Sequence, residues 1–229
     1  MKLAELFYSI QGEGKLAGVP SVFIRASGCN LRCVWCDTPY ASWSPEGEDV
    51  PIETIVERVA ATPAKHVVIT GGEPTIMPDF EPLCAALKSR QYHITVETAA
   101  TVFAPAQIDL ASLSPKLSNS TPTAREGGRF AAAHEKLRLN VDAIQQWIDS
   151  SPDFQLKFVV TVPSDLEEIR SILSRLKNWQ PSDVLMMPEG IDESALKSKA
   201  PWIGELCKRE GFRYCPRLHI ALYGNRRGT

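Results

Sequence analysis

Cys29, Cys33 and Cys36 fall within eight residues, at C-x3-C-x2-C spacing, in the stretch Gly28-Cys29-Asn30-Leu31-Arg32-Cys33-Val34-Trp35-Cys36-Asp37. Thiolates this close repel one another unless a cation neutralises them, so the spacing points to a metal. The odd number is informative, because structural zinc wants four closed ligands and iron–sulfur clusters are usually held by four thiolates. Three ligands from one loop therefore suggest a cluster with one iron left open to an exogenous ligand. Two alternatives stay open on spacing alone: a zinc site completed by Cys84, Cys207 or Cys215, or three unrelated buried thiols.

Other residues of chemical interest lie at the ends of short apolar runs. Thr70-Gly71-Gly72-Glu73-Pro74 leaves such a run through two glycines, which let backbone approach a ligand closely, although an ordinary turn would read the same way. Glu97 ends the next run and could accept hydrogen bonds from a ribose, or simply face solvent. Ser114-Pro115-Lys116 ends the one after. Lys157 is a charge inside Leu156-Lys157-Phe158-Val159-Val160 and needs a partner or a ligand; no role is assigned to it. Asp37-Thr38 reads as a loop cap, His219 as a lone histidine on a late strand, and Arg226-Arg227 as solvated surface.

The elements that would position these residues alternate. Strands are predicted at 3–9, 21–26, 66–70, 93–98, 110–114, 155–162, 184–187 and 217–222. Helices are predicted at 52–61, 79–88, 135–149, from Ser164 (in capping-box spacing with Glu167), and at 194–210. Residues 116–129 are polar and rich in Ser, Thr and Gly, and are expected to form a long loop. Strand then helix, repeated, implies a mainly parallel sheet. A closed eight-fold barrel takes ~250 residues, so an α/β fold with a partial, open barrel is expected, its chemistry at the C-terminal strand ends.

At 229 residues, with 44% hydrophobic and 23% charged side chains, the chain has the make-up of one globular domain. Its net charge of -2 provides no global field for nucleic acid, which argues against direct action on a tRNA. Met1-Lys2 leads straight into an amphipathic stretch with no signal peptide and no membrane-length apolar run, so a cytoplasmic protein without membrane contact is expected. In a reducing compartment the three clustered cysteines read as metal ligands, and Cys84, Cys207 and Cys215 as free core-type thiols.

C-x3-C-x2-C after an early strand, with Gly71-Gly72-Glu73-Pro74 after a later one, resembles the radical S-adenosylmethionine (SAM) superfamily. In that superfamily three cysteines bind three irons of a 4Fe-4S cluster and SAM chelates the fourth. The reduced cluster then cleaves SAM to a 5′-deoxyadenosyl radical. The resemblance implies a single radical SAM domain over residues 1–229, with the cluster-binding loop at about 28–45. It also implies SAM contacts from Gly71, Gly72, Glu73, Glu97, Ser114, Pro115 and Lys116.

Together with Ser9-Ile10-Gln11-Gly12-Glu13-Gly14, Arg25, Cys36-Asp37-Thr38 and His219, these motifs resemble the 7-carboxy-7-deazaguanine synthases in order along nearly the whole chain. That family converts 6-carboxy-5,6,7,8-tetrahydropterin to 7-carboxy-7-deazaguanine with loss of ammonia, on the route to queuosine and related deazapurines, and requires Mg2+. The resemblance places Ile10, Gln11, Gly12, Glu13, Arg25, Thr70 and His219 at the substrate and Thr38 on the Mg2+. The residue types suit a pterin. Gln11 and Glu13 could read its guanidine-like edge and Arg25 its carboxylate. A homodimer and an electron donor such as flavodoxin or ferredoxin are implied as well. The chain ends in Tyr223-Gly224-Asn225-Arg226-Arg227-Gly228-Thr229, without the Trp- and Pro-containing tail common in the family, which puts a C-terminal substrate contact in doubt. The rival readings are a glycyl-radical enzyme activase, for which a pterin-suited residue set has no use, and a non-catalytic zinc-binding module.

Overall fold

Short runs of β-branched residues buried on both faces are the signature of parallel strands covered by helices. The computed structural model describes residues 1–229. Its strands are β1 (Lys2–Ile10), β2 (Pro20–Ala26), β3 (Glu48–Asp49), β4 (His66–Gly71), β5 (His93–Thr98), β6 (Leu110–Leu113), β7 (Phe154–Val160), β8 (Val184–Pro188) and β9 (Arg213–Tyr214). They form one sheet in the order β3-β1-β2-β4-β5-β6-β7-β8-β9. The pairs from β2 to β9 are parallel, while β1 runs antiparallel to both β2 and β3. The two edges do not meet, so the expected open, partial barrel is what forms.

The helices are α1 (Pro39–Ser42), α2 (Ile52–Ala60), α3 (Phe80–Ser89), α4 (Ala131–Leu137), α5 (Val141–Ser150), α6 (Asp165–Leu173), α7 (Glu193–Glu210) and α8 (Leu218–Tyr223). No helix is long and apolar enough to cross a membrane. Successive side chains on a strand point to opposite faces. Val22, Ile24, Val67, Ile69, Ile94, Val96, Leu156, Phe158 and Val160 belong to the main core between sheet and helices. Their neighbours Phe23, Arg25, Thr70, Glu97, Lys157 and Val159 line a cavity on the concave side. The polar residues within apolar strands thus share one face. Cys84 and Cys207 are free thiols in the main core, and Cys215 is free and buried in a small inner cluster with Val159, Leu185 and Met187, as expected of core-type cysteines.

Several elements differ from expectation. The stretch 217–222, expected as a last strand, is instead helix α8 with Arg217 as its N-cap, because the sheet already ends at β9 and the amide of Leu218 donates to the carbonyl of Gly12 at 2.9 Å. Within it Ile220 is buried while Leu222 is 52% exposed. The helix predicted at 135–149 is two helices. Asn140 breaks it, its side chain accepting from the amide of Ala143 at 3.2 Å as the N-cap of α5. Ser164 makes no side-chain cap. Asp165 instead accepts from the amides of Thr161 and Val162, at 2.6 and 3.1 Å. The loop at 116–129 contains two 3-10 turns, Ser118–Ser120 and Arg125–Gly128.

At the bottom of the barrel His66 is buried between two hydroxyls, Ser21 Oγ at 2.6 Å and Thr95 Oγ1 at 2.7 Å. Burial, aided by the nearby His93, lowers its pKa to about 4. In the unfolded chain a histidine titrates near ~6.5. Its neutral form therefore contributes stability that is whole above that pH and is lost as pH falls toward the folded value. Between pH 7.5 and pH 5, urea denaturation is expected to show a loss of stability ~1–3 kcal/mol larger in the native chain than in His66→Gln. Equal losses in both would remove His66 from the account.

Candidate active site

The loops after β2, β4, β5 and β6 and the inner faces of β7 and β8 enclose a cavity of about 500 Å³. Cys29, Cys33 and Cys36 all line it. The cysteine loop is fastened by backbone. The amide of Gly28 donates to Ala41 O at 2.8 Å, that of Gly72 to Ala26 O at 3.1 Å, and that of Glu73 to Gly28 O at 2.9 Å. These contacts explain the paired glycines. A Cβ on Gly72 would lie 2.1 Å from the carbonyl oxygen of Gly28, and one on Gly71, whose φ is +148°, 2.4 Å from that of Ala26. Close approach is required here, and the main chain approached is the end of β2 and the start of the cysteine loop.

On its other side the loop rests on the 116–138 segment. Val34 N donates to Ser120 O at 2.8 Å, Trp35 Nε1 to Asn119 O at 3.1 Å, and Arg32 N to His134 Nδ1 at 3.1 Å. Burial lowers the His134 pKa to about 4, so the ring is neutral and Nδ1 stays free to accept. Burial also pushes the Cys29 and Cys33 thiols up to about 12, and the neighbouring thiols add to the rise. Without a cation Cys29 and Cys33 would stay protonated. A donor set of this kind fits an iron–sulfur cluster, whose charge is what would hold them as thiolates.

Most of the predicted cofactor residues reach the cavity: Gly71, Gly72, Glu97, Ser114 and Lys116 line it, while Glu73 and Pro115 do not. Glu73 is fully buried behind the turn. Its carboxylate accepts from Thr75 Oγ1 at 2.7 Å, Thr98 Oγ1 at 2.6 Å and the amide of Ala99 at 2.8 Å, tying the glycine turn to the end of β5. Lys116 turns back onto Ser114, donating to its carbonyl at 2.7 Å and its hydroxyl at 2.8 Å.

The predicted substrate residues Ile10, Gln11, Gly12, Glu13, Arg25, Thr70 and His219 also line the cavity, and so does Thr38. Glu97 organises part of this wall. It accepts from Gln11 Nε2 at 3.1 Å and from Thr70 Oγ1 at 3.0 Å. Arg25 donates through Nε to Glu5 at 2.9 Å, and its two terminal nitrogens make no bond within the chain. Thr38 occupies the N-cap position of α1 without using its hydroxyl as a cap. His219 sits on α8, not on a strand, with its ring against Gly12, where a Cβ would fall 1.9 Å from Nδ1.

Sequence reasoning missed the charges that surround Glu13. Lys157 and Arg217 both pair with it, Arg217 Nε at 3.0 Å, and Arg217 pairs with Asp37 through Nη2. Burial works to raise the Glu13 pKa, but the two cations outweigh it and hold the carboxyl well below its ordinary range. The charge in an apolar strand was a usable sign for Lys157; Arg217 carried no comparable signal. Arg226 and Arg227 are exposed, as expected of solvated surface, yet Asn225 to Thr229 also line the cavity rim, where Arg227 lies 4.0 Å over the Tyr40 ring and 3.0 Å from Glu46.

An open α/β barrel with three cysteines on the loop after its first parallel strand defines a radical SAM enzyme, and the pattern of the radical SAM superfamily matches residues 23–114. A 7-carboxy-7-deazaguanine synthase of Rhodopirellula baltica is 46% identical over 99% of this chain and 88% of its own length. One from Halobacterium salinarum is 45% identical over 98% of this chain and 91% of its own. The crystal structure of QueE from Escherichia coli superposes with a TM-score of 0.72 at 25% identity, covering 95% of this chain and 94% of that one. The chain belongs to the 7-carboxy-7-deazaguanine synthase family.

Removing one partner from a buried ion pair strands the other charge, at a cost of about 3–5 kcal/mol. Glu13→Gln leaves both Lys157 and Arg217 without their shared anion and is expected to destabilise the protein by an amount of that order, measured by urea denaturation. A loss near ~1 kcal/mol, as for an exposed pair, would show that water already neutralises these cations.

Proposed function

We propose that this chain converts 6-carboxy-5,6,7,8-tetrahydropterin to 7-carboxy-7-deazaguanine with release of ammonia, as a radical SAM lyase of queuosine and deazapurine biosynthesis. Its near-full-length kinship with synthases of that name supports the reaction. The observation that carries the reading is one cavity lined both by three clustered cysteines and by a wall of fixed polar groups suited to a pterin. A glycyl-radical enzyme activase or a zinc module would have no use for that wall.

Cys29, Cys33 and Cys36 would hold the 4Fe-4S cluster, and Gly71, Gly72, Glu97, Ser114 and Lys116 would surround SAM, with Glu73 and Pro115 shaping the turns behind. When bound, cluster and SAM supply the one-electron chemistry that removes a hydrogen atom from the substrate. The chain's own residues position and seclude. Gln11, already oriented by Glu97, presents its amide to the planar edge of a pterin alongside Thr70 and the backbone of Ile10 to Gly12, with Glu13 and His219 flanking. The unpartnered terminal nitrogens of Arg25 suit a carboxylate, which they can take as a fork.

Thr38 has a hydroxyl free of helix capping and is the proposed Mg2+ ligand, with substrate oxygens and water completing the shell. One radical SAM domain over residues 1–229, with the cluster loop at about 28–45, accords with the single continuous sheet. A flavodoxin or ferredoxin as electron donor, a homodimer, a cytoplasmic location, and no contact with nucleic acid or membrane complete the proposal.

Anaerobic reconstitution with iron and sulfide, followed by SAM, reductant, Mg2+ and 6-carboxytetrahydropterin, is expected to yield 7-carboxy-7-deazaguanine by mass spectrometry. Cys33→Ala is expected to abolish it. Cleavage of SAM without that product would sink the substrate assignment. Thr38→Ala is expected to need several-fold more Mg2+ for half-maximal rate with iron content unchanged; an unaltered Mg2+ dependence would free Thr38 from this role.

A further inference from the structure

Arg217 has a geometry that neither the motifs nor the family relationship accounts for. It is 7% exposed and stands at the N-terminus of α8, directly before the residue whose amide bonds to Gly12. Each of three guanidinium nitrogens goes to a different part of the fold. Nε donates to Glu13 on the β1–β2 loop at 3.0 Å, Nη2 to Asp37 on the cysteine loop, and Nη1 to the carbonyl of Gly190 after β8.

The anchors of the cysteine loop are unevenly placed. Residues 28–38 reach the 116–138 segment through Arg32, Val34 and Trp35. They reach the β4 turn through Gly28, and Thr101 beyond β5 through Asn30. Across the cavity, toward β8 and α8, these residues make one polar link, from Asp37 to Arg217, while further along the loop the Tyr40 hydroxyl donates to Glu5 on β1. Glu13, on that far wall, is held to the barrel independently by Lys157. What Arg217 adds is a connection between the loop that carries the cysteines and the loop that carries Gln11 and Glu13. A planar guanidinium can span three acceptors at fixed angles, which an ammonium cannot.

We propose that Arg217 is a positioning residue: through Asp37 and Glu13 it couples the cluster loop to the loop that reads the substrate, fixing the distance between cluster and substrate. This deepens the substrate reading above and rests on it. The coupling is a linkage between two sites, so loading one must tighten the other. Cluster assembly, even without SAM, orders Asp37, and through Arg217 it orders residues 10–14.

The test compares protein reconstituted with cluster and protein without it, both free of SAM. Titration calorimetry with 6-carboxytetrahydropterin is expected to show at least about fivefold tighter binding once the cluster is present in the native chain, the lower end of ordinary coupling. In Arg217→Lys the tightening is expected to fall below about twofold, with affinity in the cluster-free protein within about twofold of native. Asp37→Asn cuts the same link from its more exposed end and leaves the bond between Arg217 and Glu13, so it serves should Arg217→Lys fold poorly; the double variant is expected to add nothing to either single one. Hydrogen exchange supplies a readout independent of substrate: cluster loading slows the amides of residues 10–14 in the native chain and not in either variant. Tightening that survives in the variants overturns the proposal, as does exchange at 10–14 indifferent to the cluster in the native chain. A tenfold loss of affinity in cluster-free Arg217→Lys also overturns it, because Arg217 would then be a direct substrate contact. If the native chain binds no pterin in either form, the substrate reading fails, and the exchange experiment alone decides the coupling.

Discussion

Glu13 is a carboxylate taken out of water, and the cavity depends on what that requires. A buried anion is tolerated only when cations and hydrogen-bond donors replace its hydration. Here Lys157 arrives from β7 and Arg217 from the start of α8, and Arg217 in turn meets Asp37. Two cations and two anions form a chain that crosses from the far side of the barrel to the cysteine loop. The inner face of the sheet can therefore carry charge with little of it exposed, Lys157 at 6%, Arg217 at 7% and Glu13 at 13%. Such an interior suits chemistry on a reactive intermediate, which bulk water would quench.

The alternation of the strands makes this arrangement affordable. In a sheet covered by helices on one side, every second residue of β2, β4, β5 and β7 serves the apolar core, and the remaining ones are free to carry Arg25, Thr70, Glu97 and Lys157. Arg25 and Thr70 are direct neighbours in the β2–β4 register, and Thr70 bonds across to Glu97, so the polar set is fixed by backbone pairing before any ligand arrives. Gly71 and Gly72 then bring the cysteine loop onto the same strand ends. Their missing side chains are what lets the carbonyls of Ala26 and Gly28 sit within reach of the following amides.

The parts legible in the sequence were those fixed by local pattern. Cysteine spacing, glycine pairs and apolar β-branched runs report local geometry, and they located the loop, the turns and the strands of the open barrel. Side-chain partnerships across the fold leave no such trace. Arg217 lies 204 positions from Glu13 and 180 from Asp37, and nothing in Pro216-Arg217-Leu218 marks it as buried. Glu73 was legible as part of a motif but not in its placement, which is behind the turn rather than in the cavity. The division of the helix at Asn140 was hidden by a different ambiguity, since asparagine is tolerated inside helices and preferred at their starts. Its capping bond from the amide of Ala143, with the side-chain amide donating to the carbonyl of Thr101 at 3.0 Å, shows which applies.

The C-terminal segment brings local and long-range causes together. Arg226-Arg227 looks like solvated charge and is exposed, but Arg227 is also held. Glu5, however, already accepts from Arg25 and from the hydroxyl of Tyr40 at the rim of the cavity, and Glu46 stands beside it. That cluster offers negative charge and an aromatic face at once, and Arg227 answers both, lying over the Tyr40 ring while its terminal nitrogens reach Glu46 and the carbonyl of Ala4. The same carboxylate thus sets the direction of Arg25 on the cavity wall and draws in the residue that holds the tail at the rim. The exposed tail is thus held along the edge of the cavity because a single arginine finds three kinds of partner at the rim.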